Sequence, residues 1–387
     1  MRRTVALLTS LTLLIAAIVA SPAAAHSSMI DLGTFGGYTS GGGAINERGQ
    51  VVVNWGEFDT DKAHTVLWDR GKVTDLGTLG GTYGTIAGPH SINDRGQIVG
   101  TSTTAAGQFH GFIWQNGKMT DLGTLGGSSS SVSAINNRGQ VVGESEVASG
   151  QRHAFIWQNG KMTDLGTLGA DGATVAYDIN DRGQVAGWSS TGVGVGHGFI
   201  WQNGKMTDIG TLGGVGADDF STAVAINELG QVTGYAGTAA PAVAHAFVWA
   251  RGKMTDLGTL GGERSLGLDY SFGHTINDLG QVAGMSFTPS GQQHAFIWQN
   301  GKMTDLGTLG GGNRSDVSAM NNRGQVVGVS YAASGDLRAF LWQNGKLTDL
   351  GSLGGTYNAA GAINDHGQIA GLSTTVSGDT HAVIWTH

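Results

Sequence analysis

The sequence HAFIWQNGKMTDLGTLGG, residues 294–311, decides the fold because close copies of it recur along the chain. Copies that start with HAF begin at positions 153 and 245, and copies that start with HGF begin at 110 and 197. The motif D-[LI]-G-[TS]-[LF]-G occurs eight times, from Asp31 to Asp349. A repeat of about 45 residues is typical of a four-stranded β-propeller blade. The tryptophan of the phrase recurs in step, at Trp68, Trp114, Trp157, Trp201, Trp249, Trp298, Trp342 and Trp385.

One repeat, residues 133–168, shows the strands that a blade would contain. SAIN predicts a short strand A, NNRG predicts a turn, and QVVGES predicts strand B. HAFIWQ alternates as strand C, Asn159-Gly160 is typical of a two-residue hairpin, and KMTDLGTL predicts strand D. We therefore predict an all-β chain that forms an eight-bladed β-propeller of four-stranded antiparallel blades.

The register of the repeats predicts how the ring closes. The first predicted strand, residues 29–35, is a lone strand D, whereas the chain ends just after a strand C. Eight complete blades form only if residues 29–35 pair with the C-terminal strands in residues 362–385. An open array would leave unpaired edges, which favour aggregation. We expect residues 26–387 to form one closed domain, stabilised by packing because cysteine is absent.

The N-terminus is typical of an export signal. Arg2 and Arg3 precede an apolar stretch, residues 5–20, and Ala23-Ala24-Ala25 fits a signal-peptidase site. We predict that residues 1–25 are removed and that the mature protein is secreted, monomeric and not inserted in a membrane. The net charge of −8, without a basic stripe, argues against nucleic acid as a partner.

The triplets His153-Ala154-Phe155, His245-Ala246-Phe247 and His294-Ala295-Phe296, each followed by Trp and D-L-G-T-L-G, resemble the extracellular HAF-repeat proteins. The resemblance covers essentially the whole predicted mature chain, and it implies a secreted repeat protein. It implies no biochemical activity, because the family is named for its repeat. The pattern departs from HAF at His64, His110, His197, Arg338 and His381.

The repeated histidine and aspartate are interpreted as framework residues. Counting from the Asn159-Gly160 turn pairs Trp157 with Met162 and makes His153 and Asp164 diagonal neighbours. The equivalent histidine is present in seven units, but Arg338 replaces it in the other. Arginine can donate to a carboxylate, yet it cannot act as a general base or a metal ligand. We therefore expect no catalytic residue, no metal site and no cofactor in the repeated phrase, and no other catalytic or nucleotide-binding motif is present.

Function is expected in the loops that differ between units. The A–B and C–D turns hardly vary, whereas the D–A loops vary most, and binding usually resides in variable loops on a rigid scaffold. Two long D–A loops, residues 213–225 and 261–275, carry carboxylates, aromatic rings and a histidine. His90, beside Pro89 in a further, moderately long D–A loop, is a weaker candidate. The candidate ligand-binding residues are Asp218, Asp219, Phe220, Glu263, Arg264, Asp269, Tyr270, Phe272 and His274.

Three functions fit these observations. The first is a secreted, non-enzymatic scaffold that recognises an extracellular glycan or protein through the D–A loop face. The second is a polysaccharide-degrading hydrolase or lyase that uses paired carboxylates of the two long loops. The third is a multivalent lectin-like or structural surface protein with repeated sites.

Overall fold

The computed structural model describes residues 28–56, 63–170, 172–192, 195–262, 267 and 269–386. These residues form 32 strands and three short 3-10 turns, Pro89–Ser91, Gly216–Asp218 and Leu309–Gly311, and none of them is α-helical. The predicted export signal, residues 1–25, lies outside this part of the chain. Within it, no helix is long and apolar enough to cross a membrane. The prediction of an all-β chain is confirmed.

The strands pair with their neighbours as antiparallel groups of four, which we call units, with strands A to D in order. Unit 1 comprises β2 (Thr39–Ile45), β3 (Val51–Gly56), β4 (Ala63–Asp69) and β5 (Lys72–Asp75), and unit 2 comprises β6 (Gly80–Thr85), β7 (Ile98–Thr104), β8 (Phe109–Gln115) and β9 (Lys118–Asp121). Unit 3 comprises β10 (Gly126–Ile135), β11 (Val141–Val147), β12 (Arg152–Gln158) and β13 (Lys161–Asp164). Unit 4 comprises β14 (Thr174–Ile179), β15 (Val185–Ser190), β16 (Gly196–Gln202) and β17 (Lys205–Asp208).

The second half of the chain repeats this order. Unit 5 comprises β18 (Ser221–Ile226), β19 (Val232–Gly237), β20 (Ala244–Ala250) and β21 (Lys253–Asp256). Unit 6 comprises β22 (Ser271–Ile276), β23 (Val282–Phe287), β24 (Gln293–Gln299) and β25 (Lys302–Gly307). Unit 7 comprises β26 (Arg314–Met320), β27 (Val326–Tyr331), β28 (Leu337–Gln343) and β29 (Lys346–Asp349). Unit 8 comprises β30 (Gly354–Ile363), β31 (Gln368–Thr375), β32 (Thr380–Thr386) and, from the other end of the chain, β1 (Ser28–Gly33).

The C–D hairpin has the predicted register. Trp157 pairs with Met162, and Phe155 pairs with Asp164. Asn159 and Gly160 have φ values of 52° and 82°, the left-handed conformation that a two-residue type I′ turn requires. The turn chemistry of the repeated phrase therefore fixes which side chains share a face of the strand.

Neighbouring units pack through two complementary faces. Ile156 of unit 3 and Phe199 of unit 4 lie in one buried cluster, and Ile200 of unit 4 packs in the same way with Phe247 of unit 5. Both phenylalanines are fully buried. A glycine in strand B leaves room for the phenylalanine ring, because a Cβ atom at Gly187 would lie only 2.7 Å from the ring of Phe199. The core is thus divided among the interfaces between units, where truncating one such ring to alanine costs about 3–5 kcal/mol.

Strand β1 pairs antiparallel with strand β32. Met29 lies opposite Trp385, Ile30 lies opposite Ile384, and Met29 packs against the buried cluster that contains Trp385. Strand β1 therefore takes the place in unit 8 that strand D takes in the other units.

The A–B turns are joined from one unit to the next by asparagine side chains. The Nδ2 of Asn93 donates to the main-chain oxygen of Asn136 at 2.9 Å, and Asn364 donates to Asn46 at 3.0 Å. The remaining bonds of this kind have Asn46, Asn136, Asn180, Asn227, Asn277 and Asn321 as donors. The repeated N-x-x-G string therefore holds neighbouring units together as well as forming a turn.

Candidate functional site

Strand A contains a β-bulge, and the residue at the bulge lines an inner cavity that the units share. The register shifts between Val132 and Ala134 in unit 3 and between Gly273 and Thr275 in unit 6. The cavity has a volume of about 620 Å³ and is lined by residues of units 1 to 8, among them the bulge residues Ser133, Tyr177, Val224, His274 and Ser318. This volume lies within the range of small-molecule pockets, which is about 300–1,000 Å³.

Unit 2 contributes a histidine to the inner cavity. Its strand A ends at Thr85, and the chain then passes through the 3-10 turn Pro89–Ser91, where the other units have a simple bulge. The Nδ1 of His90 lies 3.0 Å from the Oδ1 of Asp178, which belongs to strand A of unit 4. The pair therefore joins two units that are not neighbours in the chain.

Asp178 is a buried carboxylate at a position that is apolar or neutral elsewhere. Its side chain is only 6% exposed, whereas that of His90 is 52% exposed. Main-chain N–H groups of Ile179 and Ile226 donate to it at 2.8 and 3.0 Å. By strand register, the matching residues of other units are Ala44, Ala134, Ala225, Thr275, Ala319 and Ala362.

The two groups of this pair shift each other's titration. The negative charge of Asp178 raises the pKa of His90 above its ordinary value, and this effect outweighs burial. Burial by itself raises the pKa of Asp178, but the charge and hydrogen bond of His90 and the two main-chain donors outweigh it, so that this pKa is lowered. The pair is therefore an ion pair at mildly acidic pH.

Carboxylates and amides surround the A–B end of the inner cavity. The main-chain N–H of Asp94 donates to the side chain of Asn137 at 2.9 Å, and Asp365 donates to Glu47 at 2.9 Å. Burial raises the pKa of both Glu47 and Glu228. Because these side chains accept hydrogen bonds from the main chain of the preceding turn, they serve the framework. No group of three or more His, Asp or Glu suited to a metal ion occurs within the described ranges.

In each of the two long D–A loops an aspartate lies beside a repeated histidine of strand C. Asp219 lies 3.5 Å from the Nε2 of His197, and Asp269 lies 3.5 Å from the Nε2 of His245. Each carboxylate also accepts a threonine hydroxyl, at 3.2 and 3.1 Å respectively. Asp218 accepts the main-chain N–H of Ala242 at 3.1 Å. Asp219 and Asp269 therefore occupy equivalent places in successive units, each held within its own loop and unit.

The predicted aromatic residues form a row together with Tyr235, which the sequence did not single out. The ring of Phe220 lies 6.4 Å from Tyr235, and Tyr235 lies 4.8 Å from Phe272, both edge to face. Tyr270 stacks on Phe272 at 6.3 Å, and its hydroxyl donates to the main-chain oxygen of Ala242. All four residues are of intermediate exposure, so part of each residue is accessible to solvent. We call Phe220, Tyr235, Tyr270 and Phe272 the aromatic row.

The other predicted loop residues lie elsewhere or outside the described residues. His274 is in strand β22 and lines the inner cavity, where its Nδ1 lies 3.5 Å from Asp316. Glu263 and Arg264 are not among the residues that the structure describes.

The repeated histidine contacts the strand D aspartate in most units. His153 lies 2.8 Å from Asp164, and Arg338 makes the same contact with Asp349 at 3.2 Å. Matching contacts are made by His110, His197, His245, His294 and His381. The predicted contact between the repeated histidine and the strand D aspartate is wrong for unit 1. There the ring of His64 stacks on Trp55 at 4.7 Å, and its Nδ1 has no hydrogen-bond partner in the described part of the chain.

Comparisons with known proteins identify the fold. No family profile matches the sequence, and no curated protein matches it. The β-propeller domain of the Trilobed protease from Pyrococcus furiosus is similar, with 11% identity and a TM-score of 0.50, over 81% of this chain and 98% of that one. Dipeptidyl peptidase 4 of Porphyromonas gingivalis shares 10% identity and a TM-score of 0.56, over 90% of this chain and 58% of that one.

A structure from a study of two prolyl endopeptidases is also similar, with 10% identity and a TM-score of 0.53, over 81% of this chain and 50% of that one. The match thus spans about half of the length of these two peptidase chains. At such low identity the likeness concerns the fold alone, and this fold is a β-propeller.

Proposed function

We propose that the protein is an eight-bladed β-propeller in which each four-stranded unit is one blade and strand β1 closes the ring. The asparagine bonds support this arrangement, because they lead from Asn46 through one unit after another and return through Asn364. The bonds between the residues that follow these asparagines also return, from Asp365 to Glu47. A closed ring needs no capping unit and leaves no blade edge unpaired.

This propeller serves as a non-enzymatic binding scaffold outside the cell, where it recognises an extracellular glycan or protein through its D–A loop face. The observation that carries the proposal is the aromatic row, in which Phe220 and Tyr270 of the two long loops meet Tyr235 and Phe272 of strands β19 and β22 at one place between units 5 and 6. Rigid aromatic side chains supply contact area at a low cost in conformational entropy. The extracellular location rests on the export signal predicted at residues 1–25 and on the resemblance to HAF-repeat proteins.

The loop carboxylates favour binding over catalysis. A glycoside hydrolase needs one carboxyl group on each side of the bond that it cleaves. Asp219 and Asp269 instead each lie beside a framework histidine and accept a threonine hydroxyl, and Asp218 accepts a main-chain N–H. These contacts support a role for the carboxylates in shaping the loops.

The experiment compares Tyr270→Ala with Tyr357→Ala, which removes a ring that is 50% exposed in unit 8. Binding of the mature chain to a glycan array and to intact producing cells is measured for both variants and the unchanged protein. We expect Tyr270→Ala to weaken binding of at least one array glycan, or of the cells, at least tenfold and Tyr357→Ala to leave that binding unchanged. A folded Tyr270→Ala variant that binds every array glycan and the cells as the unchanged protein does, or turnover of a polysaccharide by the unchanged protein, would contradict the proposal.

A further inference from the structure

Two equivalent pockets lie between successive units on the face that carries the A–B and C–D turns. The first lies between units 2 and 3 and has a volume of about 350 Å³; the second lies between units 3 and 4 and has a volume of about 360 Å³. Because antiparallel strands place these turns opposite the D–A loops, the pockets are separate from the aromatic row. Each pocket is large enough for a monosaccharide residue, and their likeness follows from the repeat.

Each pocket is bordered by three cations. Arg95, Lys118 and Arg138 border the first, and Arg138, Lys161 and Arg182 border the second, so that Arg138 is shared. All five side chains are exposed. Among the described residues, ion pairs are formed by Arg152, Arg314 and Arg338, and none of these arginines borders either pocket. In the second pocket the carboxylate of Glu228 interacts with Arg182, whereas no carboxylate lines either pocket. Three positive charges around one concavity, in a chain of net charge −8, favour an anionic ligand.

The remaining walls of the pockets suit a sugar ring. Trp157 borders the first pocket and Trp201 the second, each half-buried beside a strand C isoleucine. The flat apolar face of an indole matches the C–H face of a pyranose, and its N–H remains a donor. The side-chain amide of Gln97 donates to the side-chain oxygen of Gln115 at 3.2 Å. The NH₂ group of Gln115 can then donate to a hydroxyl group of the sugar.

We propose that each of these two pockets binds one acidic sugar residue of an extracellular polysaccharide. The carboxylate or sulfate group of the sugar is held by the two arginines and the lysine, since guanidinium groups bind such oxyanions in a bidentate manner. The sugar ring lies on the tryptophan, and its hydroxyl groups contact the glutamine pair. This site lies on the other face of the molecule and does not depend on the aromatic row.

The complete set of residues occurs only at these two interfaces. Leu229, Leu279 and His366 replace the A–B turn arginine in units 5, 6 and 8, and Ala250 replaces the strand C glutamine in unit 5. In unit 1 the glutamine is replaced by Asp69, whose carboxylate accepts the amide of Gln50 at 3.0 Å and would repel an acidic sugar. We therefore expect two sites per chain, although the repeat occurs eight times.

Calorimetric titration of the mature chain tests the proposal with three trisaccharides: a carboxylated oligogalacturonate, a sulfated galactan fragment and a neutral galactose oligomer. We expect a stoichiometry of two with at least one acidic ligand, and binding of the neutral ligand at least tenfold weaker. The stronger of the two acidic ligands identifies the anionic group that the pockets prefer. Equal binding of all three ligands, or no binding of either acidic ligand, would overturn the proposal.

Variants distinguish a built site from diffuse charge attraction. Arg138→Gln should weaken both sites at least tenfold, whereas Lys118→Gln should reduce the number of tight sites from two to one. Arg323→Gln is the matched control, because it removes the same charge from the same turn position of unit 7, outside both pockets. If Arg323→Gln weakens binding as much as Arg138→Gln does, the proposal fails. Tyr270→Ala should leave this binding unchanged, which separates it from the function proposed above.

Discussion

The side-chain amide of Asn364 donates a hydrogen bond to the main-chain oxygen of Asn46 at 3.0 Å, and it thereby joins the last A–B turn of the chain to the first. Each of the other seven asparagines of the N-x-x-G strings makes the same bond to the next turn, as Asn136 does to Asn180 at 2.8 Å. One short motif therefore specifies both a turn and its junction with the next repeat.

Replacing Asn136 by alanine should destabilise the fold. Its side chain is buried, donates to Gln140 and Asn180, and accepts the main-chain N–H groups of Arg138 and Gln140. Loss of these partners leaves buried polar groups unsatisfied, and we expect a decrease of about 1–3 kcal/mol in the free energy of unfolding, measured in urea. Asn344→Gly is the control, since its φ of 52° suits glycine. Equal stability of the two variants would contradict the role of the asparagine.

The His90–Asp178 pair should make stability depend on pH. The pKa of His90 is raised, so its contribution is fully present below about pH 6.5 and is lost as pH rises through the raised value. The pKa of Asp178 is lowered, so its contribution is present above about pH 4 and is lost as pH falls through the lowered value. His90→Ala should therefore lower the melting temperature most between about pH 4 and 6.5.

The control for this prediction is His366→Ala, which removes a histidine with a 63% exposed side chain near Glu47. Because burial also raises the pKa values of Glu47 and Glu228, the difference between the two variants is the quantity to compare. The double variant His90→Ala/Asp178→Ala should recover stability, since alanine occupies the position of Asp178 in most other units. A pH-independent difference between the variants would show that the pair is not ionic.

The repeated histidine should tolerate arginine better than alanine. His153 contacts Asp164 at 2.8 Å, and unit 7 makes the same contact with Arg338. His153→Ala should cost about 0.5–1.5 kcal/mol of stability, whereas His153→Arg should keep most of it, as judged by thermal unfolding. An arginine variant that unfolds as readily as the alanine variant would contradict the structural interpretation of the phrase.

Deleting residues 26–35 should expose an edge and a buried cluster. Met29 packs against the cluster of Trp385, and strand β32 would lose its partner on one edge while keeping strand β31 on the other. We expect a lower melting temperature and aggregates in size-exclusion chromatography, because an unpaired strand edge recruits other chains. Deletion of residues 26–27 alone precedes the strand and serves as the control. An unchanged melting temperature after the longer deletion would argue against a structural role for strand β1.

The features predictable from the sequence are those that local chemistry determines. The pairing of Trp157 with Met162 follows from the Asn159-Gly160 turn, and the strand order follows from the periodicity of the repeat. His64 departs from the repeated pattern because its strand partner is Trp55, on which its ring stacks, whereas the other units have serine or alanine at that place.

The inner cavity was not predictable in the same way, because it depends on contacts between distant units. A signal existed for Asp178, since YDIN in unit 4 places a carboxylate where other units have alanine, serine or threonine. The sequence marks its partner His90 only as a weaker candidate, because the insertion that carries this residue differs from every other strand A. The aromatic row gained Tyr235 for a similar reason, since this residue comes from a strand and not from a loop.

Disulfide trapping of the chain ends tests ring closure most directly. Ser28 and Thr386 are strand partners, and partners in an antiparallel pair lie within the distance that a disulfide requires. In this cysteine-free chain, the Ser28→Cys/Thr386→Cys variant should oxidise to an intramolecular disulfide, seen as faster migration on a non-reducing gel and a higher melting temperature. The pair Ser28→Cys/Thr207→Cys, with its second cysteine in unit 4, should stay reduced. If the first variant stays reduced, or links only between chains, the ring is not closed by strand β1.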